Sequence, residues 1–207
     1  DRGSLDGLIE ANKRVNELDI LDIGVKVSSA LATALKHKLL HRDIKPGNIL
    51  FNADAEPKLV DFGLARSAEA DPEEGSAIWG TPYYIAPEKI QREGEDFLSD
   101  MYSLAGTLYH ALTGHVPFEA PTIDDVIAAH VHTPLTPPHL VAADISEPTS
   151  EALVKAMAKS PSDRFQSYDE FIMALTAARS QLLINQLRTR RPQEAPKAAP
   201  AKSWWRR

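Results

Sequence analysis

Four residues of one stretch could do chemistry together: Asp43, Lys45, Asn48 and, thirteen positions further on, Asp61. Carboxylate and amide oxygens are the ligands that a hard cation such as Mg²⁺ takes. A lysine ammonium is a point charge suited to a phosphate. Phosphoryl transfer needs an acceptor hydroxyl held in line and the charge of a triphosphate neutralised. A set of this composition can do both, its carboxylates and amide sharing the tasks of taking a proton and holding a cation, and its lysine facing a phosphate. Taken singly, Asp43 and Asn48 would be turn residues, Asp61 a strand-end cap and Lys45 a solvated charge. Only their joint pattern points to chemistry.

Such residues must be carried by elements that bring them to one place. Apolar residues recur at helical spacing in 18–38 (Ile20, Ile23, Val27, Ala30, Leu31, Ala34, Leu35), with Asp19 as the expected N-cap, and a shorter helix is expected over 5–10. Ile49-Leu50-Phe51, the polar turn Asn52 to Glu56 and Leu59-Val60 read as a small hairpin. The set therefore sits on a loop between a helix and a strand, and at a hairpin end. Residues 64–85 show no sustained period and read as a long loop, of the kind that is usually functional or disordered. Helical patterns return at about 99–113, 122–131, 149–158 and 167–187, with Ser99 and Thr149 as expected caps and Pro-rich connections at 134–138. The fold class is mainly α with a small β hairpin. Residues 188–207, rich in Pro, Ala and Lys/Arg, read as a disordered basic linker.

The bulk composition narrows the function. The chain has 207 residues, 43% of them hydrophobic and 25% charged, an ordinary globular balance. With no Cys, disulfides and thiolate metal sites are excluded. The net charge of -6 is uneven: residues 179–207 hold eight Lys/Arg and one Glu, which leaves 1–178 strongly acidic. An acidic body argues against nucleic-acid binding. No stretch approaches the length needed to span a bilayer. The pair His130 and His132 could suggest a metal, but without an acidic third ligand nearby a packing or surface role is favoured.

The segment His41-Arg42-Asp43-Ile44-Lys45-Pro46-Gly47-Asn48 is followed by Asp61-Phe62-Gly63 and then by Gly80-Thr81-Pro82-Tyr83-Tyr84-Ile85-Ala86-Pro87-Glu88. In order and spacing these resemble the catalytic loop, the DFG motif and the APE motif of protein kinases. Asp100 in Ser99-Asp100-Met101-Tyr102-Ser103-Leu104 and Arg164 in Lys159-Ser160-Pro161-Ser162-Asp163-Arg164-Phe165 also fit, in phrasings similar to bacterial eukaryotic-like Ser/Thr kinases. A lone Asp-Phe-Gly would carry little; five ordered motifs carry a great deal. The resemblance covers about residues 1–187 and implies the large C-terminal lobe of the protein-kinase fold, with a catalytic loop at 41–48 and an activation segment at 61–88.

The resemblance implies roles for single residues. Asp43 is the base, Lys45 faces the γ-phosphate and marks Ser/Thr acceptors, and Thr81 bridges Asp43 and Lys45. Asn48 and Asp61 bind Mg²⁺ or Mn²⁺, and Leu50 lies under the adenine of ATP. Arg42 implies control by activation-loop phosphorylation, with Ser67 and Ser76 as candidate sites. His41 and Phe62 correspond to members of a hydrophobic stack. Glu88 and Arg164 correspond to a buried ion pair, and Asp100 to the aspartate that holds the catalytic-loop backbone. The expected partners are proteins with Ser/Thr acceptors, not nucleic acid. The expected location is cytoplasmic, as a free domain or as the cytoplasmic part of a single-pass membrane protein anchored downstream of residue 207. Trp204 and Trp205 beside Arg206 and Arg207 suit either a membrane-interface anchor or a loose chain end.

The sequence departs from the family in two ways. These 207 residues contain no Gly-x-Gly-x-x-Gly loop and no Val-Ala-x-Lys strand, the marks of the small lobe, and begin with a segment that resembles the one just after the inter-lobe hinge. The resemblance then implies that the chain alone shows no appreciable kinase activity, and it leaves a non-catalytic scaffold or substrate-binding module as the alternative to an enzyme. Lys38 stands where relatives often have Gly, at a helix C-cap that favours a left-handed backbone.

Overall fold

A computed structural model describes residues 2–62, 66–67 and 82–190, with residues 66, 67, 189 and 190 described by backbone alone. The expected Thr81 and Ser76, the glycine of Asp61-Phe62-Gly63, and the basic tail lie outside the described residues. Helix α1 (Leu5–Asn12) leads to the long α2 (Glu17–Lys36). Strand β1 (Leu39–Leu40), a loop and a 3₁₀ turn (Pro46–Asn48) follow, then strands β2 (Ile49–Phe51), β3 (Pro57–Leu59) and β4 (Arg66–Ser67). A second 3₁₀ turn (Pro82–Tyr84) opens the helical remainder: α3 (Pro87–Gln91), α4 (Phe97–Thr113), α5 (Ile123–His132), α6 (Pro138–Val141), α7 (Glu147–Ala156) and α8 (Tyr168–Arg190). No helix among the described residues is long and apolar enough to cross a membrane.

The core forms because the helices present apolar stripes that only mutual packing can bury. Helix α2 lies against both α8 and α4. Leu21, Val27 and Leu31 of α2, Leu104 and Leu108 of α4, and Phe171 and Leu175 of α8 are all buried in one cluster. Gly24 marks the crossing. A Cβ there would come to 2.9 Å from Leu175 Cδ1 and 3.0 Å from Leu108 Cδ1. A side chain at that position would have to displace both leucine tips.

Strands β2 and β3 pair antiparallel, with Ile49 opposite Leu59, Leu50 opposite Lys58 and Phe51 opposite Pro57. The turn closes because Asn52 Oδ1 accepts from the backbone N–H groups of Asp54 (3.1 Å) and Glu56 (2.8 Å), as asparagine does in turns. The N-terminal segment lies along the other edge of β2: Phe51 N donates to Gly3 O at 2.9 Å. Ile49 and Phe51 are buried, so alternation along the strand turns the half-buried Leu50 to the opposite face.

The expected helices all form, within a few residues of their expected limits, but their caps lie elsewhere. Asn16 caps α2 by accepting from Leu18 N at 2.9 Å, and Asp96 caps α4 by accepting from Leu98 N at 2.7 Å. Ser146 occupies the cap position of α7 without a side-chain bond to its backbone, since its hydroxyl donates to Glu17. Asp19, Ser99 and Thr149 each stand three residues further in. The loop expected over 64–85 contains β4, whose Arg66 and Ser67 pair antiparallel with Leu40 and Leu39 of β1. The Pro-rich connection hides α6, a single turn begun by Pro138, whose fixed φ suits a helix start.

Candidate active site

The loop from His41 to Lys45 is held from below by one carboxylate. Asp100, near the start of α4 and 3% exposed, accepts from His41 N at 2.7 Å and from Arg42 N at 2.8 Å, one bond to each oxygen. Burial raises its pKa, and the two N–H donors oppose that rise. The double acceptance holds Arg42 in a left-handed conformation, φ 68°, which residues other than glycine seldom adopt. His41 is fully buried. Its Nδ1 accepts from Asp43 N at 3.3 Å, so the ring proton lies on Nε2, which donates to Val60 O at 3.0 Å. The neighbouring bond, from Val60 N to Asn48 O at 2.9 Å, joins the end of the 3₁₀ turn to the end of the hairpin. These two bonds bring Asp61, at φ 64°, beside the loop that carries Asp43.

Asp43, Lys45 and Asn48 meet directly. Lys45 Nζ lies 2.7 Å from Asp43 Oδ2. Asn48 Nδ2 donates to Asp43 O at 2.7 Å and to Asp43 Oδ2 at 3.0 Å. Both bonds use the amide nitrogen, which leaves Asn48 Oδ1 as the arm that a cation would take. The donor set, one amide oxygen and the Asp61 carboxylate, is the all-oxygen kind that suits Mg²⁺. Asp43 and Lys45 stay partly exposed, with side-chain exposures of 26% and 44%. Asp61 and Phe62 are exposed, and the Phe62 ring meets His41 edge-on with centroids 4.6 Å apart.

The remaining expected residues fall in three places. Glu88 and Arg164 form a two-pronged pair, Nη1 to Oε1 and Nη2 to Oε2, both at 2.7 Å. Arg164 is 2% exposed and spends its other donors on the carbonyls of Ala158, Leu98 and Lys159. Burial pushes the Glu88 carboxyl up, but the bonds from Arg164 and from Ser99 (2.7 Å) outweigh it and hold it below the ordinary carboxylate value. Ser67 lies in β4, opposite Leu39. Arg42 turns its guanidinium to Glu95, Nε to Oε2 at 3.0 Å. Sequence reasoning missed Glu95 and Lys89, which also meets Glu95, at 3.0 Å. Nothing in the type or spacing of Gly94-Glu95-Asp96 singles them out.

His130 is fully buried rather than paired with His132: Tyr102 Oη and His130 Nδ1 are 2.9 Å apart, and the Phe118 ring meets it edge-on. The half-buried Lys159 ammonium sits 4.1 Å over the Phe118 ring and donates to the carbonyls of Ala129 and His130, closing the end of α5.

Residues 1–178 match the protein kinase domain family. The chain is 38% identical over 164 residues to the serine/threonine-protein kinase PknK of Mycobacterium tuberculosis, covering 79% of this chain and 15% of that protein. It is 34% identical over 177 residues to PknA of Corynebacterium glutamicum (85% of this chain, 37% of that protein). It is 36% identical over 154 residues to PknB of Mycolicibacterium smegmatis (72% and 24%). The chain thus spans well under half the length of each of these relatives. The match across residues 1–178, and the loop that Asp100 anchors beneath Asp43, make this chain a member of the protein kinase family.

Proposed function

We propose that this chain is the catalytic large lobe of a serine/threonine protein kinase, transferring the γ-phosphate of ATP to Ser and Thr hydroxyls of protein substrates in the cytoplasm. The observation that carries the reading is the contact of Asp43 with both Lys45 and Asn48, at 2.7 and 3.0 Å, on a loop stitched to Asp61 through Val60. Asp43 accepts the hydroxyl proton and aims the oxygen, and most of its effect comes from position. Lys45, paired with Asp43, is placed to meet a phosphate that arrives beside it. Asn48 Oδ1 and the Asp61 carboxylate would hold Mg²⁺, which when bound neutralises triphosphate charge. Leu50, turned away from the core, offers an apolar surface for a nucleobase. Thr81 closes the acceptor side, and Ser67 or Ser76 takes regulatory phosphate. An anchor downstream of residue 207 would tether the domain to a membrane.

Asp43→Asn tests the reading. The amide oxygen can still accept from Lys45 and Asn48, so the fold survives while the base is lost. Transfer by the full-length gene product should fall by about 100-fold or more. Unchanged transfer by a folded variant would end the proposal.

A further inference from the structure

Two cations converge on one carboxylate just beneath the catalytic loop. Glu95 lies 3.0 Å from Arg42 Nε through one oxygen and 3.0 Å from Lys89 Nζ through the other. The three side chains are mostly withdrawn from water, with exposures of 18% for Arg42, 20% for Glu95 and 35% for Lys89. Lys89 also donates to the backbone carbonyl of Arg42, at 3.3 Å. The residue before Asp43 is therefore held at three points: its N–H by Asp100, its carbonyl by Lys89 and its side chain by Glu95. Those points keep Arg42 at φ 68°, a backbone that an arginine takes only when its surroundings enforce it.

The three groups depend on one another. Without Glu95, two cations would face each other in a half-buried space, and their repulsion would push Lys89 off the Arg42 carbonyl. The Arg42 Nε–H is buried and meets no aligned acceptor among the described residues. Its contact with Glu95 is an ion pair off the N–H direction, so one buried donor is left for a better-placed anion. The cavity beside it, lined by Arg42, Lys89, Glu95 and Asp100 among others, holds about 10 Å³. That is about the room one water needs and much less than a phosphate group needs. That cavity has no room for a phosphate while the Glu95 carboxylate stays in place.

We infer that Glu95 is a positioning residue of the catalytic loop: it is the resident anion that joins Arg42 to Lys89 and thereby fixes the backbone that carries Asp43. The inference rests on the phosphotransfer role of Asp43 given above. Its own content is that this anion position is filled from within the fold, and that an outside oxyanion takes it only when Glu95 leaves.

The test needs no catalysis, which separates its failure from failure of the kinase reading. Amide signals of Arg42 and Asp43 are followed by NMR in the 207-residue chain while inorganic phosphate is titrated. In the wild-type chain phosphate should leave them in place at concentrations that move them in the variant. In Glu95→Gln they should shift without phosphate and return toward the wild-type positions as phosphate binds, about tenfold tighter than to the wild type, the size of one charge-assisted hydrogen bond. Arg42→Ala combined with Glu95→Gln should abolish the phosphate response. Signals that stay put in Glu95→Gln would overturn the inference. So would equal phosphate binding by wild type and variant. Should Glu95→Gln fail to fold, Glu95→Asp takes its place, since it keeps the charge and shortens its reach. There the same two amides should shift partway and show no phosphate response; unshifted amides, or a response equal to that of a free anion site, would overturn the inference.

Discussion

At the scale of single residues, the site depends on buried carboxylates that are fully occupied. Arg164 directs its guanidinium to both oxygens of Glu88 and to three carbonyls, and its central carbon lies 4.9 Å from the Tyr102 ring centre. Arg164→Ala would leave the Glu88 carboxylate buried without its cation. It should cost about 3–5 kcal/mol in urea unfolding. Glu88 also sets a pH dependence of definite sign. Its folded pKa lies below the ordinary value of 4.5, so its contribution is present above that value and is lost as pH falls through the lower folded one. Asp100, whose pKa is raised by burial, contributes with the opposite sign. The motif residues Asp43, Asn48, Glu88, Asp100 and Arg164 are legible because type and order together mark them. Glu95 is not, since its partner Arg42 lies 53 positions away and only the folded chain brings them together.

At the scale of elements, the sequence shows helix interiors better than helix starts. Apolar period becomes visible only once a helix has turned far enough to bury a face, so it places a start only to within a residue or two. Asp19, Ser99 and Thr149 each stand three residues past the true cap, at a position where polar residues are also favoured because they reach back toward the cap. Ser146 and Thr149 show that contact, Oγ to Oγ1 at 3.1 Å. Lys38, at φ 57°, does keep the left-handed backbone expected there, at a cost of about 1 kcal/mol. Strand β4 is not legible because two residues give no period. Helix α4 ends at Gly114, where φ is 80° and a Cβ would come within 2.6 Å of Lys13 O. Gly114→Ala faces both the left-handed backbone and a backbone atom that cannot turn away. It should destabilise by about 2 kcal/mol in a thermal or chemical melt. An unchanged midpoint would mean that the α1–α4 junction is looser than its geometry shows.

At the scale of the whole molecule, polar groups buried between helices tie stability to pH. Burial, and then the charge of Lys159, hold His130 down to about 3. The unfolded chain regains the ordinary value of 6.5, so it takes up a proton that the folded chain refuses. Stability from this group is therefore present above about pH 6.5 and lost as pH falls toward about 3. Between pH 7 and pH 5 the loss should be about 2 kcal/mol, read from urea midpoints, and His130→Gln should flatten that slope. His110, lowered by burial in the same direction, adds to the loss. The same helical body that refuses a proton at His130 holds Asp100 under the loop that carries Asp43, because Tyr102 and Asp100 share one helix. The mainly helical architecture is legible from period and composition. The way distant helices combine into one support is not, because it depends on close approaches such as the one at Gly24.

The most direct measurement is transfer of labelled γ-phosphate from ATP to a generic Ser/Thr protein substrate by the full-length gene product. Wild type, Asp43→Asn and Asp61→Asn are compared side by side, with thermal unfolding of each as the control. Both variants should unfold close to the wild-type temperature and transfer phosphate at a rate lower by about 100-fold or more. Folded variants that transfer at the wild-type rate would contradict the account.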